Sequence, residues 1–159
     1  MVFPLDQPLL PIVHAIILCD HIYKDDESGK CVLAGTFNRV RLPEFPGEYP
    51  RFASLYLNLS DFSGFHTVSF RFKRLSDDFV IEESPEFHLE HEDRREHHEC
   101  IFELPPMEFD GPGRYTWEVI FDGEEIIGTA DVEAILLTCE EMNEDPREGM
   151  SEEPYEGMN

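Results

Sequence analysis

Four of the seven histidines of this chain fall in one stretch, "EFHLEHEDRREHHEC" (residues 86–100), among carboxylates and one cysteine. Imidazole, carboxylate and thiol are the donors that zinc and iron sites use. The same groups can instead move protons near neutral pH. Read as two strands around a loop at residues 93–96, the stretch becomes a hairpin. Phe87, Leu89, Cys100 and Phe102 then face a core, and His91 lies across from His98 at the hairpin mouth. His88, Glu90, His97 and Glu99 point outward. Two imidazoles so placed could share a metal, with a third ligand from Glu92 or the acidic C-terminal tail. Against this, HExxH is absent, "HLEH" lacks the His-x-His spacing and glycines of a cupin, and the adjacent His97 and His98 face opposite sides of a strand. The expectation is a solvated, charge-mixed hairpin whose histidines gain charge together as pH falls toward about 6.5.

Other chemistry leaves weaker marks. "FSGFH" (residues 62–66) places Ser63 and His66 near a turn, but no G-x-S-x-G elbow accompanies them. "DGPGRY" (residues 110–115) lacks the length and the following helix of a phosphate-binding loop. Paired carboxylates for glycoside hydrolysis are uninformative in a chain with 35 Asp and Glu. Phe52 and Tyr56 share the polar side of their segment, and Tyr23, Phe45 and Tyr49 lie at or near loops. Such aromatics suit a carbohydrate or a protein, unless another layer covers them.

The elements that must position these residues read as strands. Tyr115, Trp117, Val119 and Phe121 alternate with polar residues, and Asp122-Gly123 supplies a tight turn. The return segment places Ile126, Gly128, Ala130, Val132 and Ala134 on one face. Val68, Phe70 and Phe72 alternate likewise, as do Ala53, Leu55, Leu57 and Leu59. "PIVHAIILCDHIYK" and "KCVLAGTFNRVRL" are apolar on both faces for part of their length. They read as central strands joined by the turn "DDESG". No segment carries a convincing helical stripe. The predicted fold class is all-β, a single antiparallel β-sandwich (jelly-roll or Ig-like) of about eight strands.

The 159 residues are 41% hydrophobic with thirteen Phe, enough for a core without staples. They divide into a β-sandwich domain over 1–139 and an acidic C-terminal tail over 140–159, whose composition alone predicts disorder. Against 35 acidic residues stand 12 Lys and Arg, a formal net charge of −23. That field repels phosphate backbones and anionic membranes, so neither nucleic acid nor membrane is expected as a partner. An acidic chain could mimic nucleic acid, but charge of this kind argues first for solubility. The cysteines Cys19, Cys31, Cys100 and Cys139 form no CxxC pair. With no basic segment ahead of a long apolar run, they read as reduced thiols in the cytoplasm.

The first half also carries a resemblance. Cys19-Asp20, Gly29-Lys30, Gly35-Thr36-Phe37 and Pro43-Glu44-Phe45-Pro46 are similar to the opening of an uncharacterised family of small bacterial proteins, a domain of unknown function. "GRYTWEVIFDGEEI" resembles that family's closing hairpin. The resemblance covers most of residues 12–137 and implies a compact β-sandwich with no activity to transfer. The histidine-rich stretch and the tail lie outside its motifs.

No catalytic, cofactor-binding or metal-binding residue is assigned on these grounds. The expected role is a non-catalytic protein-interaction or self-assembly module, whose partner is another protein or a second copy in a homo-oligomer. The alternatives are a jelly-roll metal-binding protein or metalloenzyme centred on the histidines of residues 88–100, and a carbohydrate-binding module.

Overall fold

Period-two alternation becomes strand along nearly the whole chain. The computed structural model describes residues 9–142, which form twelve strands and one helical turn. One sheet has the order β2-β1-β5-β9, from β1 (Ile12–Lys24), β2 (Cys31–Thr36), β5 (Ser54–Ser60) and β9 (His98–Glu103). A second has the order β3-β12-β11-β6-β7, from β3 (Arg39–Leu42), β6 (Gly64–Arg74), β7 (Phe79–Glu83), β11 (Gly113–Phe121) and β12 (Glu125–Leu136). To this sheet β8 (Phe87–His91) adds by pairing with the first half of β6. β4 (Gly47–Glu48) and β10 (Glu108–Phe109) form a small third sheet, and α1 (Cys139–Met142) follows β12.

Twelve strands in three sheets replace the expected eight, and the β12–β3 pair is parallel. The surplus consists largely of elements too short to show alternation, such as β4, β10 and β3. One long strand, β6, also serves two partners in succession. Between β7 and β8 the chain steps off β6 at Ser84-Pro85, where proline has no N–H to offer the ladder. The Ser84 hydroxyl accepts from Phe70 N at 2.8 Å, and Ser84 N donates to Phe70 O at the same distance.

The inward faces are those the alternation implies. Leu55, Leu57 and Leu59 of β5, Val68, Phe70 and Phe72 of β6, and Tyr115, Trp117, Val119 and Phe121 of β11 are all buried in one core. Phe70 meets Phe102 of the other sheet at 4.8 Å between ring centroids, so the two larger sheets share that core. Each such Leu or Phe contributes about 2–3 kcal/mol of burial. Trp117 stacks on Phe72 at 4.8 Å and donates its indole N–H to Met107 Sδ at 3.2 Å. On the opposite face of β11, Glu118 is also covered. Arg71 Nε (3.2 Å) and Lys73 Nζ (3.3 Å) lie against its carboxylate, and that pairing is what makes its burial tolerable.

Two assignments change. β1 is central, but β2 is an edge strand whose residues are mostly exposed, so apolar content on both faces did not mark a central position there. In β12 the ladder to β11 jumps from Val119↔Gly128 to Ile120↔Ile126. This bulge turns Ile126 outward, 48% exposed, and puts Ile127 against the core in its place.

The tail expected from residue 140 falls mainly beyond the described residues. Within them, Thr138 and Glu141 exchange hydrogen bonds in a capping box, and Arg41 reaches Glu141 at 3.1 Å.

Candidate functional site

The histidine-rich stretch is not a hairpin. β8 pairs with β6 in one sheet and β9 with β5 in the other, so residues 92–97 cross between sheets. Both strands find longer partners than they would find in each other. The inward alternation survives the change: Leu89, His91, Cys100 and Phe102 are buried, and Phe87 packs against the core. His91 and His98 therefore meet across the interface between sheets, with Nδ1 to Nδ1 at 3.0 Å.

That contact fixes a proton arrangement. His91 Nε2 lies 2.9 Å from the carbonyl of Glu96 and must donate to it. With both rings neutral, its Nδ1 accepts and His98 Nδ1 donates. Phe62 stacks on His91 at 4.8 Å and closes the pair from one side. Burial, then the neighbouring His91 and Lys24, lower the His98 pKa below its ordinary value. Among the described residues no group of three or more His, Cys, Asp and Glu is placed to hold a metal ion. Burial, helped by the Glu99 charge, pushes the Cys100 thiol up to about 12, far from a reactive thiolate.

The outward histidines of the stretch part company. His88 is exposed on β8 beside Thr67. His97 stacks on His14 of β1 at 4.1 Å, and its Nδ1 lies 3.0 Å from Asn58 Oδ1. His14 Nε2 is 2.7 Å from Ser60 Oγ, which in turn donates to Asp61 at 2.7 Å. Ser60 is 3% exposed, so this chain of contacts does not present a hydroxyl to a substrate.

Alternation alone placed Tyr56 outside, and the structure covers it. At the far end of the β1–β2 hairpin the Cys31 thiol is in hydrogen-bond contact with Glu99 of β9. Tyr56 donates to the same carboxylate, and burial and that contact raise its pKa to about 12. Phe52, its expected companion, is 71% exposed, so the two do not form a shared platform. At the root of the hairpin, Tyr49 donates to Asp20 and stacks on Phe37 at 4.9 Å. Tyr23 is exposed near the tip, and Phe45 is half-buried against the core.

Ser63 and His66 do come together, through the backbone. His66 Nε2 lies 2.8 Å from the Ser63 carbonyl, and its Nδ1 is 2.8 Å from Asp122 Oδ2. Facing two acceptors, the ring satisfies both of them when it is protonated. Burial opposes that charge, but the bonds to Asp122 and Ser63 outweigh it, so the pKa rises. Both ring nitrogens are turned to these acceptors, and neither contacts the Ser63 hydroxyl. A cleft of about 370 Å3 adjoins it, lined by Leu9, Phe62, His66, Arg94 and Asp122 among others. Asp122 is the partner that sequence reasoning passed over. Its place in a turn was legible, but its reach to β6 was not.

A family model described as "Family of unknown function (DUF6941)" matches residues 14–130. The chain belongs to this DUF6941 family. The matched span runs from β1 into β12 and holds every cluster described above, in line with the resemblance to an uncharacterised family. No curated protein matches this DUF6941 member. Among solved structures it is similar to the Pseudomonas fluorescens alkylpurine DNA glycosylase AlkC bound to DNA containing an abasic site analog. That likeness has 18% identity and a TM-score of 0.39, and covers 62% of this chain and 27% of that one. At that score it carries no argument about function.

Proposed function

We propose that this DUF6941 protein is a non-catalytic interaction module, working in the cytoplasm by binding another protein or a second copy of itself. In this reading the two larger sheets act as one Ig-like sandwich presenting its edges and rims. The observation that carries it is the set of large apolar side chains left outside. Phe65 is 82% exposed, Phe52 71%, Phe79 54% and Ile12 52%. Exposed aromatics at strand ends and edges are costly to keep in water and are typical of contact surfaces. Support also comes from His66, His91, Tyr49 and Tyr56, whose polar atoms are engaged with carboxylates or carbonyls.

The acidic balance argues against nucleic acid and anionic membrane as partners. Among the described residues no helix is long and apolar enough to cross a membrane. Sedimentation velocity over a hundredfold concentration range, alone and after crosslinking in cell extract, tests the proposal. Self-association or one stoichiometric protein adduct is the expected result. A strict monomer that crosslinks to nothing would overturn it.

A further inference from the structure

The two larger sheets share a core, yet along one side they do not join. β1 pairs with β5 over Ile12–Cys19, but with β2 only from Cys19 onward. Among the described residues no strand pairs with the other edge of residues 12–17. β12 mirrors this: it pairs with β11 from Glu125 to Ala134, but with β3 only from Glu133. Among the described residues, then, two stretches of strand edge on this side of the molecule have no ladder partner. They run in the same direction, because Ile16 lies against Gly128 while Leu18 and Glu133 are both tied to the β2–β3 connection.

Between them is a groove of about 500 Å3, lined by Ile16, Leu18, Phe37, Asn38, Ala130 and Asp131 among others. Its backbone polarity can be read from its two end bonds. Phe37 N donates to Leu18 O at 3.2 Å, and Glu133 N donates to Asn38 O at 2.9 Å. Alternate residues of a strand aim their N–H and C=O to the same side. Ile16 therefore presents its pair to the groove, as do Asp131 and Thr129. Inward side chains of Ile16 and Leu18, with the half-buried Phe37 and Ala130, make an apolar floor.

We infer that this groove accepts an extended segment of a partner protein, which adds as a strand along β1, sets an apolar side chain on the Ile16–Leu18 floor and carries flanking Lys or Arg. Unpaired backbone gives the affinity and the floor selects the side chain. The charge of the occupant follows from its host: Asp131 stands exposed at the rim of a chain with net charge −23. This assignment rests on the interaction reading above and gives it a place.

The test uses the full chain and a fluorescein-labelled seven-residue peptide of alternating valine and threonine with lysine at both ends. A copy ending in glutamate serves as the control. Anisotropy gives affinity, and amide hydrogen exchange by NMR gives location. The expected result is saturable binding that slows exchange at Ile16, Thr129 and Asp131 at least tenfold, with the glutamate copy at least tenfold weaker. Ala130→Trp, which fills the floor, and Thr129→Pro, which removes a donor, should each weaken binding tenfold, with folding checked by the exchange pattern of β11.

Absence of binding overturns the inference. So does protection on β2 or β7 in place of the groove, or equal affinity for the glutamate copy. Protection of these amides that rises with protein concentration alone would give the groove to a second copy and also overturn it. If sedimentation finds an associated state while these amides exchange freely, only the groove assignment falls. If neither association nor protection is seen, both readings fall.

Discussion

In the folded chain the ring of His66 faces the Ser63 carbonyl and Asp122, while that of His98 faces His91 within the core. The two rings bind protons with opposite bias. His66 has a raised pKa, so its bonds stabilise the fold fully below the ordinary value of 6.5 and less as pH rises through the folded value. His98 has a lowered pKa, so its contribution is complete above 6.5 and is lost as pH falls below it. NMR titration of the ring protons should therefore place His66 above 6.5 and His98 below it. Asp122→Asn should bring the His66 midpoint back down and cost about 0.5–1 kcal/mol, since this carboxylate is largely solvent-screened. In a urea series, His66→Gln should flatten the alkaline limb of the stability profile and His98→Gln the acid limb. Titration of both rings at 6.5 would contradict the geometry.

At the scale of elements, side-chain direction was legible and strand partnership was not. Leu55, Phe70 and Trp117 fall inward because alternation is local, a property of a residue and its next-but-one neighbour. The partner of a strand is a long-range choice. Residues 86–103 read equally well as a hairpin or as a crossover, and the inward meeting of His91 with His98 is common to both. The Ile126–Ile127 exchange was hidden for a related reason, since a bulge is visible only against the opposing strand. Its neighbour Gly128 offers a direct test of the approach between β1 and β12. A Cβ there would press on Ile16 Cδ1, the mobile end of a side chain. Gly128→Ala should cost about 1–2 kcal/mol from overpacking. Combined with Ile16→Ala, the pair should be less destabilised than the sum of the two single changes, with a coupling of about 1 kcal/mol. Strict additivity in chemical denaturation would mean that the two strands do not touch there.

For the whole molecule, composition speaks about environment more than about task. A net charge of −23 on 159 residues makes self-repulsion a general cost of compactness. Raising sodium chloride from about 0.01 M to 0.5 M shortens the screening length from ~30 Å to a few ångströms, and should lift the thermal midpoint by roughly 5 °C. A flat response would mean that local pairs such as Arg71–Glu118 and Arg74–Asp110 already absorb the imbalance. The same charge bears on what the chain meets, yet no part of the sequence marks the groove between β1 and β12. Among the described residues that groove lies where β1 and β12 make no ladder with each other, and a ladder that is not made leaves no motif.

Trp117 is the one tryptophan of the chain, fully buried against Phe72 with its indole N–H turned to a thioether. Its emission should thus be short in wavelength and insensitive to dissolved quenchers while the inner face of β11 is intact. Any event that separates the sheets will move that single signal, and binding confined to the outer edges will not. The protein is therefore equipped to report, without a label, whether a ligand has opened it or only rested against it.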